Sequence, residues 1–258
     1  MKKIMTTICA ALVFCFVLSG TVAEAKTDVY QQHYTKDYRE IWSDGVTKVY
    51  MNKARTKLCE KNIKSGKVTV LKKLKATEEN YYTIANVYNN RIYLNHINYL
   101  SSDAYVYNKT TKKFKRLKKD LRITDAYGSS MLTMGYVPSD ISPYTAWIYK
   151  VSGDGIKKVK TIGNAVAGMK ICDGKIYYAS YTKTDGSSNE NMKVYTCDLS
   201  GQNKKFLFSK KAEGEYGYAL VEEFSAESIL FMEYNSDTDS STEYIYDIAS
   251  GKIQEVSK

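Results

Sequence analysis

One pattern recurs along this chain: an aromatic strand, a small polar turn and a basic strand. It reads AYVYNKTTKKFKRL at residues 104–117, AWIYKVSGDGIKKV at 146–159, KVYTCDLSGQNKKFLF at 193–208 and EYIYDIASGKIQEV at 243–256. Such a unit cannot bury its apolar faces alone, so copies must pack on one another. Each repeat divides into four strands. A second strand follows a tight turn, at 43–51, 88–94, 128–134, 172–178 and 225–232. A third strand alternates with period two, as in Tyr105, Tyr107, Lys109 or Tyr195, Cys197, Leu199, which puts those side chains on one face. Fourth strands occupy 68–71, 114–117, 156–159, 205–208 and 253–256, and fainter first strands 38–42, 81–88, 121–127, 165–172 and 216–224.

Anchored on Tyr50, Tyr93, Thr133, Tyr177 and Phe231, the spacings are 43, 40, 44 and 54 residues. Repeats of four strands at this period are the period of propeller blades. The 24 tyrosines suit half-buried pleated surfaces, and only two prolines interrupt them. Beyond the N-terminal leader no long segment carries helical apolar spacing. The expected class is all-β: a β-propeller of five four-stranded blades, at about 37–75, 80–119, 120–161, 162–211 and 214–257, within a domain spanning 26–258. No strand is left over to complete a shared blade, so closure would rest on packing alone.

The segment KIYYASYTKTDGSSNENMKVYTCDLSGQNKKFLF resembles the repeat of secreted bacterial propellers of unknown function, themselves similar to the YWTD propeller of the low-density-lipoprotein receptor and to TolB-like repeats. The pattern K-I-Y-Y, x-V-Y, D-L-S-G, K-K-F-L fits the fourth unit best. The first unit has Cys59 and Lys61 in place of the aromatic pair, and the third has Thr133 in place of a Tyr. The resemblance implies a fold and a tendency to bind, and fold does not set function.

Residues 1–25 read as a signal peptide: Lys2 and Lys3, an apolar run over residues 4–18, and Ala23-Glu24-Ala25 as the cleavage pattern. The run is shorter than the roughly 20 residues a spanning helix needs, so no transmembrane anchor is expected after cleavage. The expected location is secreted or associated with the cell envelope, which argues against nucleic acid as a partner. Three cysteines follow the leader, Cys59, Cys172 and Cys197, and three unpaired thiols are expected. Cys172 and Cys197 lie two strands apart in one unit, beyond bridging distance. Cys59 and Cys197 would fill apolar slots that other units give to Tyr.

Connections between second and third strands are longer and more polar than the others, and alternate connections of a meander share one end of the sheet. Binding residues are therefore expected at that end: His96, Tyr99, Asp140, Tyr144, Tyr181, Asp185, Asn189, Tyr234, Asp237 and Asp239. The formal charge is +10. Cations crowd the fourth strands, above all Lys112, Lys113, Lys115, Arg116, Lys118 and Lys119. They protect an exposed sheet edge, and they would also attract an anionic polymer or lipid headgroups. Residues 212–250 hold ten acids and no Lys or Arg, whereas the first unit holds Lys53, Arg55, Lys57, Lys61 and Lys64. Opposite charge could thus align a seam between the last unit and the first.

Catalytic motifs are missing: no G-x-S-x-G, H-E-x-x-H, C-x-x-C or phosphate-cradling Gly loop occurs. His33 precedes the first strand. Asn235-Ser236-Asp237-Thr238-Asp239 lacks the following Gly and distal Glu of a calcium loop and reads as a hairpin turn, so no metal site and no cofactor are expected. These features together point to a non-catalytic binding module at the envelope, whose partner is a protein or a cell-wall polymer. The enzymatic alternative is a carbohydrate-active hydrolase with paired carboxylates in a central pocket, drawn from Asp44, Asp125, Asp173 or Glu222.

Overall fold

The computed structural model describes residues 31–34, 40–98, 101–135, 144–184, 188–214 and 216–256. All regular elements among them are antiparallel strands in up-and-down order. The first sheet holds β1 (Gln31–Tyr34), β2 (Glu40–Ser43), β3 (Thr47–Met51), β4 (Lys57–Asn62) and β5 (Val68–Lys73). The second holds β6 (Tyr81–Tyr88), β7 (Arg91–Asn98), β8 (Ser101–Asn108) and β9 (Phe114–Lys118). Then come β10 (Leu121–Tyr127), β11 (Ser130–Gly135), β12 (Tyr144–Ser152), β13 (Gly155–Cys172), β14 (Lys175–Thr184), β15 (Ser188–Asp198) and β16 (Lys205–Lys211) in one hydrogen-bonded series. The last sheet holds β17 (Tyr218–Phe224), β18 (Ser228–Asn235), β19 (Ser240–Asp247) and β20 (Ile253–Glu255). The five expected quartets are present, packed face to face as propeller blades.

Three details differ from the sequence reading. First, β1 adds a strand to the first quartet, pairing Gln31 with Ser43 and Tyr34 with Glu40, and it contains His33. Second, the third and fourth quartets share β13. Its N-terminal part pairs with β12, its C-terminal part with β14, and Val166 faces both Tyr144 and Ser180. No Pro and no turn breaks residues 155–172, so the chain passes from the outer edge of one blade to the inner edge of the next without a loop. Third, the long polar connections are largely extensions of the hairpins. His96 lies in β7, Tyr144 in β12, Tyr181 in β14, Asn189 in β15 and Tyr234 in β18, because polar residues still satisfy the backbone ladder when a strand protrudes past its core.

Four of the five turns from a third to a fourth strand carry the same device. The carboxylate of Asp198 accepts hydrogen bonds from the backbone and hydroxyl of Ser200 and from the backbone of Gln202, which holds it down at about pKa 2. Asn62, Asn108 and Asp247 accept from Ser65, Thr111 and Ser250 in the same way. This is why D-L-S-G recurs: an Asx side chain templates the turn. Gly201 completes it at φ +74, and a Cβ there would meet Ile148 and Lys160 at 2.8 Å.

Side chains alternate between two buried faces, which explains consecutive apolar residues such as Ile176-Tyr177-Tyr178. Ile176 and Tyr178 pack toward the third quartet, and Tyr177 and Ala179 toward the fifth. Burying one such ring contributes on the order of 2 kcal/mol. Four apolar clusters result. Trp42, Val49 and Leu58 meet Ile84 and Leu94; Tyr93 and Val106 meet Ile123 and Met131; Leu132 and Ile148 meet Val166 and Tyr178; and Tyr177 and Val194 meet Ile229 and Phe231. Cys197 is part of the third of these clusters, and Cys59 is also buried. Both are free thiols, as is Cys172, whose Sγ lies 3.5 Å from the Phe224 carbonyl in the next quartet.

Polar ties accompany each cluster. The inner strands β6, β10, β13 and β17 each carry a register shift, after Ile84, Ile123, Val166 and Val221. A bulge leaves backbone groups without ladder partners. Side chains of the preceding quartet take several of them. Trp42 Nε1 donates to the Ile84 carbonyl at 3.3 Å. The Asn95 amide both donates to the Ile123 carbonyl, at 2.7 Å, and accepts from its N–H, at 2.9 Å. The Ile171 N–H donates to Asp125 Oδ2 at 2.6 Å. Farther out, Lys109 pairs with Glu60, Arg91 with Asp154 at 2.8 Å, and Lys210 with Glu233 at 2.6 Å, while Lys160 donates to the Gly201 carbonyl. No apolar cluster of the described residues joins the fifth sheet to the first, where a closed ring would need one.

Asn95→Ala removes both halves of a buried exchange and leaves two backbone groups of Ile123 unpaired. A loss of about 2 kcal/mol is expected in urea unfolding. Burial raises the Asp125 carboxyl above its ordinary range, against the two backbone hydrogen bonds it accepts. Its folded pKa lies above its unfolded one, so its stabilising contribution is complete at acid pH and declines as pH rises through the raised value. The melting temperature of Asp125→Asn should therefore improve relative to wild type as pH rises above the ordinary carboxylate range.

Candidate functional site

The inner strands β6 and β10, with β7, border a cavity of about 390 Å³. It opens at the end of the sheets that carries the connections from second to third strands. Arg55 reaches it from the turn between β3 and β4, Tyr81 and Thr83 from β6, Asn95 and Ile97 from β7, and Arg122, Thr124 and Asp125 from β10. Arg55 itself has φ 53, and its guanidinium lies 4.0 Å from the centre of the Tyr81 ring. This left-handed turn residue directs the charge over an aromatic face, where a cation is stabilised. Arg122 is exposed on β10 and makes no hydrogen bond or ion pair among the described residues.

Two guanidiniums from different quartets, with the Thr83 hydroxyl beside them, form a donor-rich concave surface suited to carboxylate or phosphate oxygens. The acid in the described lining is Asp125, and both its oxygens are engaged. Oδ2 accepts from Ile171 and Oδ1 from Ala126, at 2.6 and 2.8 Å. Asn95 is likewise committed to Ile123. The Thr124 hydroxyl donates to the Leu132 carbonyl at 3.3 Å, so the groups left to meet a ligand are the two arginines and the Thr83 hydroxyl.

Among the described residues, none of those expected from the sequence lines this cavity. His96 stands on the opposite face of β7, stacked on Tyr82 at 4.4 Å and edge-on to Tyr105, in a ladder that continues to Phe114. Burial lowers its pKa, with the Asp103 charge opposing. Tyr181 is a core residue between the fourth and fifth quartets, pushed up to about 12 by burial and partly offset by a hydrogen bond from the Val221 backbone. Tyr234 stacks on Tyr218 and donates to Asp239 at 2.8 Å. Asp239 adopts φ 49, and the Asn235 side chain accepts from the Asp237 and Thr238 backbone, so this segment is a templated hairpin turn. Tyr144 and Asn189 lie in strands, opposite Val166 and beside Ser188. Tyr99, Asp140 and Asp185 lie outside the described residues.

The rim cations divide into two groups. Arg116 reaches Asp103 at 3.4 Å, Lys118 donates to the Tyr149 hydroxyl at 2.9 Å, and Lys119 lies 3.8 Å from Asp120. Lys112, Lys113 and Lys115 are exposed at and after the β8–β9 turn, with φ 56 at Lys112. The four acids considered for a hydrolase are not brought together. Asp44 caps its own turn through Val46 and Thr47, Asp173 is a left-handed turn residue, Glu222 sits at the β17 bulge, and Asp125 ties two blades.

Sequence reasoning assigned Arg55 to a charged seam between the last unit and the first, and did not single out Arg122. The available signal was that they are two of the five arginines in a lysine-dominated chain. Their convergence depends on how neighbouring quartets pack.

No protein-family model and no curated sequence matches the chain. Among solved structures, it is similar to a prolyl endopeptidase at 11% identity and TM-score 0.54, with 89% of this chain aligned to 35% of that one. It is similar to an oligogalacturonate lyase solved with manganese at 14% identity and TM-score 0.54, with 83% of this chain aligned to 62% of that one. A looser match, at 14% identity and TM-score 0.48, is the β-propeller domain of the trilobed protease from Pyrococcus furiosus, covering 89% of this chain and 69% of that one. This chain thus spans about a third of the length of the first and under two thirds of the second. At these identities the likeness to the endopeptidase and the lyase establishes a shared fold and nothing finer.

Proposed function

We propose that this protein is an exported, non-catalytic binding module at the cell envelope, and that the cavity between the first three quartets takes an anionic group of an envelope polymer. The observation that carries this reading is the pairing of Arg55 and Arg122 across a cavity whose described lining contains one acid, already bound to two backbone N–H groups. A glycosidase pair would need two carboxylates facing one bond at a separation of roughly 5–9 Å, and a single committed acid does not supply it. The exposed Lys112, Lys113 and Lys115 add long-range attraction to a polyanion, while the arginines provide the geometric fit to its oxygens.

Calorimetry with oligogalacturonate, a phosphodiester wall-polymer fragment and a neutral oligosaccharide tests this. Binding of at least one acidic polymer is expected, weakening with salt, with Arg122→Ala and Arg55→Ala each about tenfold weaker. Neutral sugar bound as tightly as both acids, or release of shortened chains from the polymer, would overturn it.

A further inference from the structure

Among the described residues, every sheet but two is covered on both faces by apolar clusters. The exceptions are the outer face of the first sheet and the outer face of the fifth. On the fifth sheet, Leu230 and Ile245 lie side by side in register with Glu223, on the face opposite Phe231 and the fourth quartet. On the first sheet, Val70 is in register with Cys59, and Val68 with Lys61, on the face opposite Trp42 and the second quartet. These apolar rows belong to none of the four clusters among the described residues. Ile245, Val68 and Val70 are 39%, 48% and 46% exposed.

Their charges are opposite. Glu223 and Glu243 share the outer face of the fifth sheet with Leu230 and Ile245, and Lys48, Lys57, Lys61 and Lys73 share that of the first with Cys59 and Val70. The same two elements, an apolar row and an opposite charge, hold three of the four internal interfaces: Lys109 with Glu60, Arg91 with Asp154 and Lys210 with Glu233, each beside an apolar cluster. We propose that the outer face of the fifth sheet docks on the outer face of the first sheet of a second copy of this chain, head to tail. The contact is heterologous, so it propagates: each copy added leaves one basic and one acidic face open. Docking of a chain's own two end faces is the alternative that the experiment separates, because it does not depend on concentration.

The test is sedimentation of the mature full chain from about 1 to 100 μM at low and moderate salt, a range that spans weak but specific association. Mass should rise with concentration and fall with salt. Leu230→Lys with Ile245→Lys blocks the acidic face, and Val70→Glu with Lys61→Glu blocks the basic one. Each variant alone should remain a single chain, and an equal mixture should stop at a one-to-one dimer, since each retains one competent face. Glu223→Lys, at an exposed position, serves where the double variants lose their melting transition, and should weaken association about tenfold. A constant single-chain mass for the wild type, association that the blocking variants leave unchanged, or a mixture that forms no dimer would each overturn the proposal.

Discussion

A four-stranded sheet with apolar residues on both faces cannot exist alone in water, and this requirement organises the molecule. Consecutive buried residues such as Ile176, Tyr177 and Tyr178 are tolerable only because the third quartet covers one side and the fifth covers the other. The inner-strand bulges, the amide of Asn95 across to Ile123 and the carboxylate of Asp125 across to Ile171 follow from it. Once neighbouring sheets must pack, their backbone irregularities fall within reach of a neighbour's side chains, and a polar group placed there is satisfied instead of stranded. The ionic ties farther out repeat the arrangement where the sheets diverge and solvent enters.

The same requirement accounts for the cavity. Blades that pack tightly at mid-height leave space where their inner strands begin, and Arg55 and Arg122 border that space from separate blades. A guanidinium is well suited to such a position, since its long stem reaches past the packed layer while its charged plane stays hydrated over Tyr81 or toward the opening. The acids nearby are used to hold blades together, which leaves the lining basic.

Much of the architecture was legible in the residues. The repeat period, the alternation at Tyr195, Cys197 and Leu199, and the turn signals at Asp173-Gly174 and Ser200-Gly201 reflect local rules, a two-residue pleat and a small set of tight turns, that do not depend on distant contacts. The free thiols followed from strand order. The limits of the hairpins were not legible. Polar residues at 95–98 and 181–184 suit a protruding strand as well as a loop, and the choice depends on whether the facing segment is also extended. The continuity of β13 was hidden for a similar reason, because a strand that changes partners midway looks like two short strands in sequence.

The candidate site shows the division most clearly. His96, Tyr181 and Tyr234 have the composition of binding residues, yet tertiary packing places His96 and Tyr181 among aromatic and apolar neighbours and turns Tyr234 toward its own hairpin. Arg55 and Arg122 carry no motif and meet only because the first, second and third quartets are stacked. Sequence by itself determined the repeating unit, its strands and its turn chemistry, since pleat and turn are set by a few adjacent residues. Which side chains converge on the cavity, and which sheet faces remain without a neighbour, was decided only by the tertiary structure, because both depend on the relative placement of sheets that are far apart along the chain.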